Sequence, residues 1–173
     1  ITQPPAIVQY NVTGGGAYCA GGTGVAIGLS GSETNATYQL YNGVVATGSP
    51  VTGTGFAISF GNQTAAGVYT VIATNTNTTC TRSMLSSATV VINPIPDVNT
   101  ISNQALCNCA TTAAINFSGS VSGTTYSWIN SATSIGLAAS GTGDIAAFTA
   151  TNITSAPVIA TVTVTPSANS CIG

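Results

Sequence analysis

The chain has 173 residues, enough for one large domain or two of ordinary sandwich size. Only 2% of them are charged, namely Glu33, Arg82, Asp97 and Asp144, and there is no His and no Lys. A net charge of -2 leaves no basic patch for nucleic acid or an anionic membrane, and the missing His and Lys exclude imidazole triads and Schiff-base chemistry.

The opening ITQPPAIVQY lacks the basic start and long apolar run of a signal peptide, and no initiator Met is present, so Ile1 is expected to mark a processing site or a cut within a longer chain. Gln3-Pro4-Pro5 reads as a stiff connector from a preceding module. Strand signals follow, as short runs of Val, Ile, Thr, Tyr and Phe between turn residues. They place strands at Ala6–Val12, Gly24–Ser30, Thr37–Tyr41, Val44–Thr47, Phe56–Phe60, Val68–Thr74 and Ala88–Ile92. Asn42-Gly43 supplies a two-residue hairpin turn, because both positions tolerate positive φ. Gly14-Gly15-Gly16 and Gly21-Gly22 read as turns, since no Lys and no helix follow to make a phosphate loop. This strand count and spacing predict an immunoglobulin-type sandwich. Tyr69 stands either as its corner tyrosine or as an ordinary core ring.

Asn93-Pro94-Ile95-Pro96 marks a boundary, because Pro94 and Pro96 cannot donate ladder hydrogen bonds and stiffen the chain. The predicted domains are residues 1–94 and 95–173. In the second, strands are expected at Ala113–Ser118, Thr124–Ile129, Ile135–Ala139, Ile145–Ala150 and Val158–Thr165, then a turn at Pro166–Cys171. Trp128 is the expected core residue of the third strand. The fold class is thus all-β, two tandem immunoglobulin-like β-sandwiches, the second lacking its last strand within this chain. Either the chain continues or a neighbour supplies that strand.

The halves share a plan: a proline connector, a cysteine before the second strand, a tyrosine in the third, and a cysteine after the penultimate one. No stretch approaches the roughly 18 apolar residues of a membrane helix.

The cysteines are Cys19, Cys80, Cys107, Cys109 and Cys171. Without His or clustered acids they read as disulfide partners rather than zinc ligands, which implies an oxidising compartment. Two pairings are open. Cys19–Cys80 with Cys107–Cys171 gives one bridge per module, each closing a loop of about 60 residues that contributes roughly 4 kcal/mol. Those cysteines, however, fall at opposite poles of an ordinary immunoglobulin topology, and a bridge needs Cα atoms within about 7 Å. The alternative is Cys19–Cys171 across the internal junction, leaving Cys80 and Cys107 to bridge neighbouring repeats. Cys109 is spare, or takes the place of Cys107.

Other chemistry finds little support. The acids are dispersed, so neither a catalytic carboxylate pair nor a calcium cage is expected; Asp97 alone lies at the connector. No catalytic residue, metal or cofactor is assigned. Thr161–Thr165 alternates hydroxyls with Val162 and Val164, the pattern of a half-buried strand. The sequons at Asn11, Asn35, Asn62, Asn77, Asn116 and Asn152 are unsurprising in a Thr- and Asn-rich chain.

Several motifs carry a family resemblance. Tyr18-Cys19-Ala20-Gly21-Gly22, Ile27-Gly28-Leu29-Ser30-Gly31-Ser32 and Thr37-Tyr38-Gln39-Leu40-Tyr41 resemble the immunoglobulin-like repeats of very large Bacteroidetes surface adhesins. Leu106-Cys107-Asn108, Thr125-Tyr126-Ser127-Trp128, the run from Ile135 to Gly141 and the run from Ala160 to Pro166 resemble their PKD-like repeats. The resemblance implies export by the type IX route, a cell-surface location, and a role in adhesion, gliding or filament formation. The expected function is a structural or adhesive repeat acting as a disulfide-stapled spacer, its partners being neighbouring repeats. The alternatives are a filament subunit polymerising by strand donation and a module binding surface glycans.

Overall fold

The computed structural model describes residues 6–173, so the Gln3-Pro4-Pro5 connector lies outside the described residues. The chain divides into two compact units, Ile1–Asn93 and Pro94–Gly173. Both are built from strands.

Unit 1 contains β1 (Val12–Gly14), β2 (Gly16–Cys19), β3 (Val25–Leu29), β4 (Ala36–Asn42), β5 (Val45–Thr52), β6 (Ile58–Gln63), β7 (Gly67–Asn75), β8 (Thr81–Ser83) and β9 (Ala88–Asn93). One sheet has the order β1-β3-β6; the other runs β2-β9-β7-β4-β5, with β8 also paired to β7. The pairs are antiparallel except β2 with β9, which is parallel. Alternation decides what is inside. Tyr38 and Leu40 of β4, Tyr69, Val71 and Ala73 of β7, and Ala88 and Val90 of β9 point one way. They meet Val12, Ile27, Leu29 and Ile58 of the other sheet in one buried core. Full burial of an aliphatic or aromatic side chain of this size stabilises by about 1.5–3 kcal/mol.

The run Gly14-Gly15-Gly16 is more than a turn, because it moves the first strand from one sheet to the other. All three glycines have positive φ. A Cβ at Gly14 would collide with the Ala26 carbonyl, and one at Gly15 would lie 2.7 Å from the Thr89 carbonyl oxygen. Only glycine permits this crossing. The expected strand at Ala6–Val12 is correspondingly displaced. Its pairing reduces to a bridge from Asn11 to Leu85, and the strand proper starts at Val12. Residues 7–9 are instead held by side chains, with Arg82 Nη1 donating to the Ile7 carbonyl and Val8 N–H donating to Glu33.

The β4–β5 hairpin pairs Asn42 with Val45, so its loop is Gly43-Val44, one residue later than expected. Gly43 at φ +60° occupies the first loop position, where a primed turn needs a left-handed residue.

Unit 2 contains β10 (Thr125–Asn130), a 3-10 turn at Thr133–Ile135, β11 (Ser140–Thr142), β12 (Val162–Ala168) and β13 (Cys171–Ile172). Its sheet order is β11-β10-β12-β13, antiparallel throughout. Three expected strands are not formed. Ala113–Ser118 and Ile145–Ala150 meet only at the isolated bridge Ile115–Ile145, with Thr149 bridging Thr111. Ile135–Ala139 begins inside the 3-10 turn, whose last residue is Ile135, and Gly136 at φ +93° ends that turn. The last long strand runs later than expected, through Pro166 to Ala168. The tight turn falls at Asn169-Ser170, both left-handed, and β13 then pairs back onto β12. Pro166 is tolerated inside β12 because its ring replaces an N–H at the outer edge; its carbonyl there accepts the Gly173 N–H at 3.1 Å.

Candidate functional site: cysteines at the poles and an open strand edge

Cys19 and Cys171 are both disulfide-bonded. Cys80, Cys107 and Cys109 carry free, exposed thiols. The pairing of one bridge per module is therefore corrected, and the strand register gives the reason. Cys19 stands opposite Asn93 at the end of β9, and β9 runs back past Gly67, so Cys19 belongs to the pole where β7 begins. Cys80 follows the other end of β7, where its carbonyl accepts the Asn75 N–H at 2.9 Å. A strand of 9 residues separates the two poles. That length is about 30 Å at the usual rise per residue, far beyond the roughly 7 Å Cα separation a disulfide spans.

Unit 2 repeats the argument. Cys171 pairs with Ala168, at the Thr125 end of β10. Cys107 lies at the opposite end: Cys109 N–H donates to Ala150, and the adjacent Thr151 N–H donates to Ile135, beyond Asn130. Each bridged cysteine thus sits at the pole of its own unit that adjoins residues 93–96. Cys19 is beside Asn93, while Gly173, two residues past Cys171, packs against the buried Pro96. Pro94 is exposed.

Tyr69 is fully buried, and its hydroxyl donates to the Ala65 carbonyl at 2.8 Å, pinning the chain that enters β7. Tyr38 lies in the same core and accepts the Glu33 N–H at 2.8 Å; burial pushes its hydroxyl above the ordinary tyrosine range. Trp128 is 7% exposed, covers Gly141, and donates its indole N–H to Gly143 at 3.2 Å. Its ring offers no open face for stacking a sugar.

The four charges all brace backbone. Arg82 holds Ile7, Glu33 holds Val8, and Asp144 accepts the Phe117 N–H at 2.8 Å. Asp97 accepts both the N–H and hydroxyl of Ser120, at 2.6 and 2.9 Å, and these bonds hold its carboxyl below the usual range. Among the described residues no group of three or more His, Cys, Asp or Glu is placed to hold a metal ion, and no helix is long and apolar enough to cross a membrane.

Sequence reasoning missed two buried organisers. Asn130 Nδ2 donates to Ala132 and Leu137 at 3.1 Å while its Oδ1 accepts the Ala132 N–H, fixing the loop after β10. Asn75 Oδ1 accepts the N–H groups of Asn77 and Thr78 and shapes the β7–β8 turn. The only signal for either was an Asn at a strand end, where such side chains close turns.

Unit 2 also holds a groove of about 690 Å³. Ile115, Phe117, Ile135, Leu137, Val162 and Val164 line it, all half-buried. No ionisable side chain other than the Cys107 thiol faces it.

Compared with family models and with curated proteins, the sequence matches none.

Proposed function

We propose that the chain is a non-catalytic structural segment of an exported surface or filament protein, in which two immunoglobulin-like modules form a disulfide-stapled spacer. In this reading Cys19 of unit 1 is bonded to Cys171 of unit 2; the observation that carries it is that these two cysteines are disulfide-bonded while Cys80, Cys107 and Cys109 are free. Such bonds persist outside reducing compartments, which supports an extracellular or cell-surface location. The strand order of unit 1, with β2 parallel to the last strand and Tyr69 bonded a few residues upstream, supports the immunoglobulin-like assignment. The motif resemblance to repeats of large Bacteroidetes adhesins supports the same setting. With 2% charged residues, contacts between repeats would depend little on salt. The free thiols of Cys80 and Cys107, each at the pole remote from the bridged cysteine of its unit, support covalent linkage between successive repeats.

The test pairs disulfide mapping with ligand screening of the intact chain. Arg82 is the sole tryptic site, so chymotryptic peptides are mapped without reduction. Recovery of a Cys19–Cys171 linked peptide, together with no binding on a glycan array, is the expected result. A Cys19–Cys80 peptide removes the staple, and specific glycan binding makes the chain a recognition module instead of a spacer.

A further inference from the structure

Among the described residues Cys80, Cys107 and Cys109 carry free, exposed thiols, and the last two are separated by one residue. Cys107, Asn108 and Cys109 form a turn in unit 2, closed by Ala110 N–H donating to the Cys107 carbonyl at 3.1 Å. The facing segment fixes it. Cys109 N–H donates to the Ala150 carbonyl at 2.8 Å, Ala150 N–H donates to the Ala110 carbonyl at 2.8 Å, and Asn108 Oδ1 accepts the Asn152 N–H at 2.9 Å. These bonds use backbone groups and the Asn108 side chain, not the sulfurs.

Cys109 takes the third position of the turn with φ +66°. Glycine or asparagine is the ordinary occupant there, because another side chain is strained in the left-handed region. The sequence places a thiol at that position, beside a second thiol. Turn geometry brings the two within reach of each other. Two steps of about 3.8 Å, folded through a turn, leave the Cα atoms of Cys107 and Cys109 about 5.5 Å apart. A disulfide takes a Cα separation of roughly 4.4–6.8 Å. Cys171 does not compete within unit 2, since it is already bonded and lies at the other pole. A ring closed over one residue, strained and open to solvent, belongs to the labile class of disulfides rather than the structural one.

We infer that Cys107-Asn108-Cys109 is a thiol–disulfide exchange site, which stores a labile disulfide and passes it to exposed thiols. Closure draws on a low-molecular-weight disulfide. One thiolate of the pair attacks a sulfur of that disulfide and releases one small thiol. The other thiolate then attacks the protein sulfur of the mixed disulfide and releases the second. Two protein thiols lose two protons and two electrons, and the small disulfide takes up both as two thiols. Delivery begins when a substrate thiolate attacks one sulfur of the ring, forming a mixed disulfide and leaving the other cysteine as a thiol. The exposed Cys80 thiol of a further copy is a substrate of this class. This site adds an activity to the spacer and does not rest on it.

The test is a redox titration of the intact chain in buffers of graded reduced-to-oxidised glutathione ratio, quenched by acid and then alkylated. The chymotryptic peptide that begins at Cys107, after Leu106, is read by mass. Under oxidising ratios it is expected to be lighter by two hydrogens and to take no alkyl group, while Cys80 carries glutathione. The ring should open at a ratio at least ~tenfold less reducing than the one that opens the bonded Cys19 and Cys171. Cys109→Ser is expected to trap one glutathione on Cys107, and Cys107→Ser one on Cys109, with the circular dichroism of both variants unchanged. Two separate glutathione adducts on the unaltered peptide, or a ring as resistant to reduction as Cys19 and Cys171, would overturn the inference. A Cys19–Cys171 peptide is scored in the same digest, so failure of the ring and failure of the staple are read separately.

Discussion

The two units use the same alternation of apolar and polar residues with different results. In unit 1 the alternating residues of β4, β7 and β9 are fully inside, and the core joins both sheets. In unit 2 the equivalent residues stop halfway: Val162, Val164, Ile115 and Phe117 are half-buried, while Trp128 and Ile145 are buried. The sheet orders correspond, β5-β4-β7-β9 in one and β11-β10-β12-β13 in the other, but β9 has 6 residues and β13 has 2. Alternation therefore selects which side chains point inward. A second sheet across the core, β1-β3-β6 in unit 1 and only isolated bridges in unit 2, sets how far they are removed from water.

The sharpest way to break this contrast is to open the disulfide. In the chain-entropy model its loss costs about 5 kcal/mol for so long a loop. Calorimetry with and without reductant should show the unit 2 transition falling more, since Cys171 belongs to its short closing strand. Equal shifts in both units would mean that the bond acts on the whole chain alike. Next in size are paired truncations. Leu40→Ala in the closed core is expected to cost about 3 kcal/mol, whereas Val164→Ala in the open groove should cost about 1 kcal/mol. Similar values by denaturant titration would remove the distinction between the units. Tyr69→Phe deletes only the bond to Ala65 and should cost about 1 kcal/mol, read from the unit 1 transition alone.

The smallest effect is in acid. Asp97 has a lowered carboxyl value when folded, so its bonds to Ser120 stabilise unit 2 above the ordinary aspartate range. That contribution fades as pH falls from about 4 through the folded value. Asp97→Asn should flatten the acid limb of the unit 2 melting profile and leave unit 1 unchanged. A steeper limb would show that another group controls it.

The strands β4 and β7 were legible because Thr37–Tyr41 and Val68–Thr74 alternate cleanly and both neighbours are present. β8 was invisible, since Thr81, Arg82 and Ser83 are all exposed and carry no pattern. β2 was hidden by the glycines that deliver it to the second sheet. In unit 2 the alternation of Ala113–Ser118 and Ile145–Ala150 was real, yet a ladder needs a partner along its whole length, and no local pattern supplies one. The sequence left two cysteine schemes open, and the one with a bridge inside each module fell to strand direction, which the register of β2 and β9 makes explicit.

The proposed Cys19–Cys171 staple has a mechanical consequence. Tension applied outside Cys19 and Cys171 travels from one end of the chain to the other through the sulfur–sulfur bond. Everything between the two cysteines forms a closed covalent ring that bears none of the load. Only β1 and the part of β2 ahead of Cys19 would then be pulled directly, and the rest of both units would stay folded, or unfold, without lengthening the molecule. In a single-molecule stretching experiment the extension of the ring should be released only after a reducing agent is added, which would make redox state, rather than sandwich strength, the control on reach.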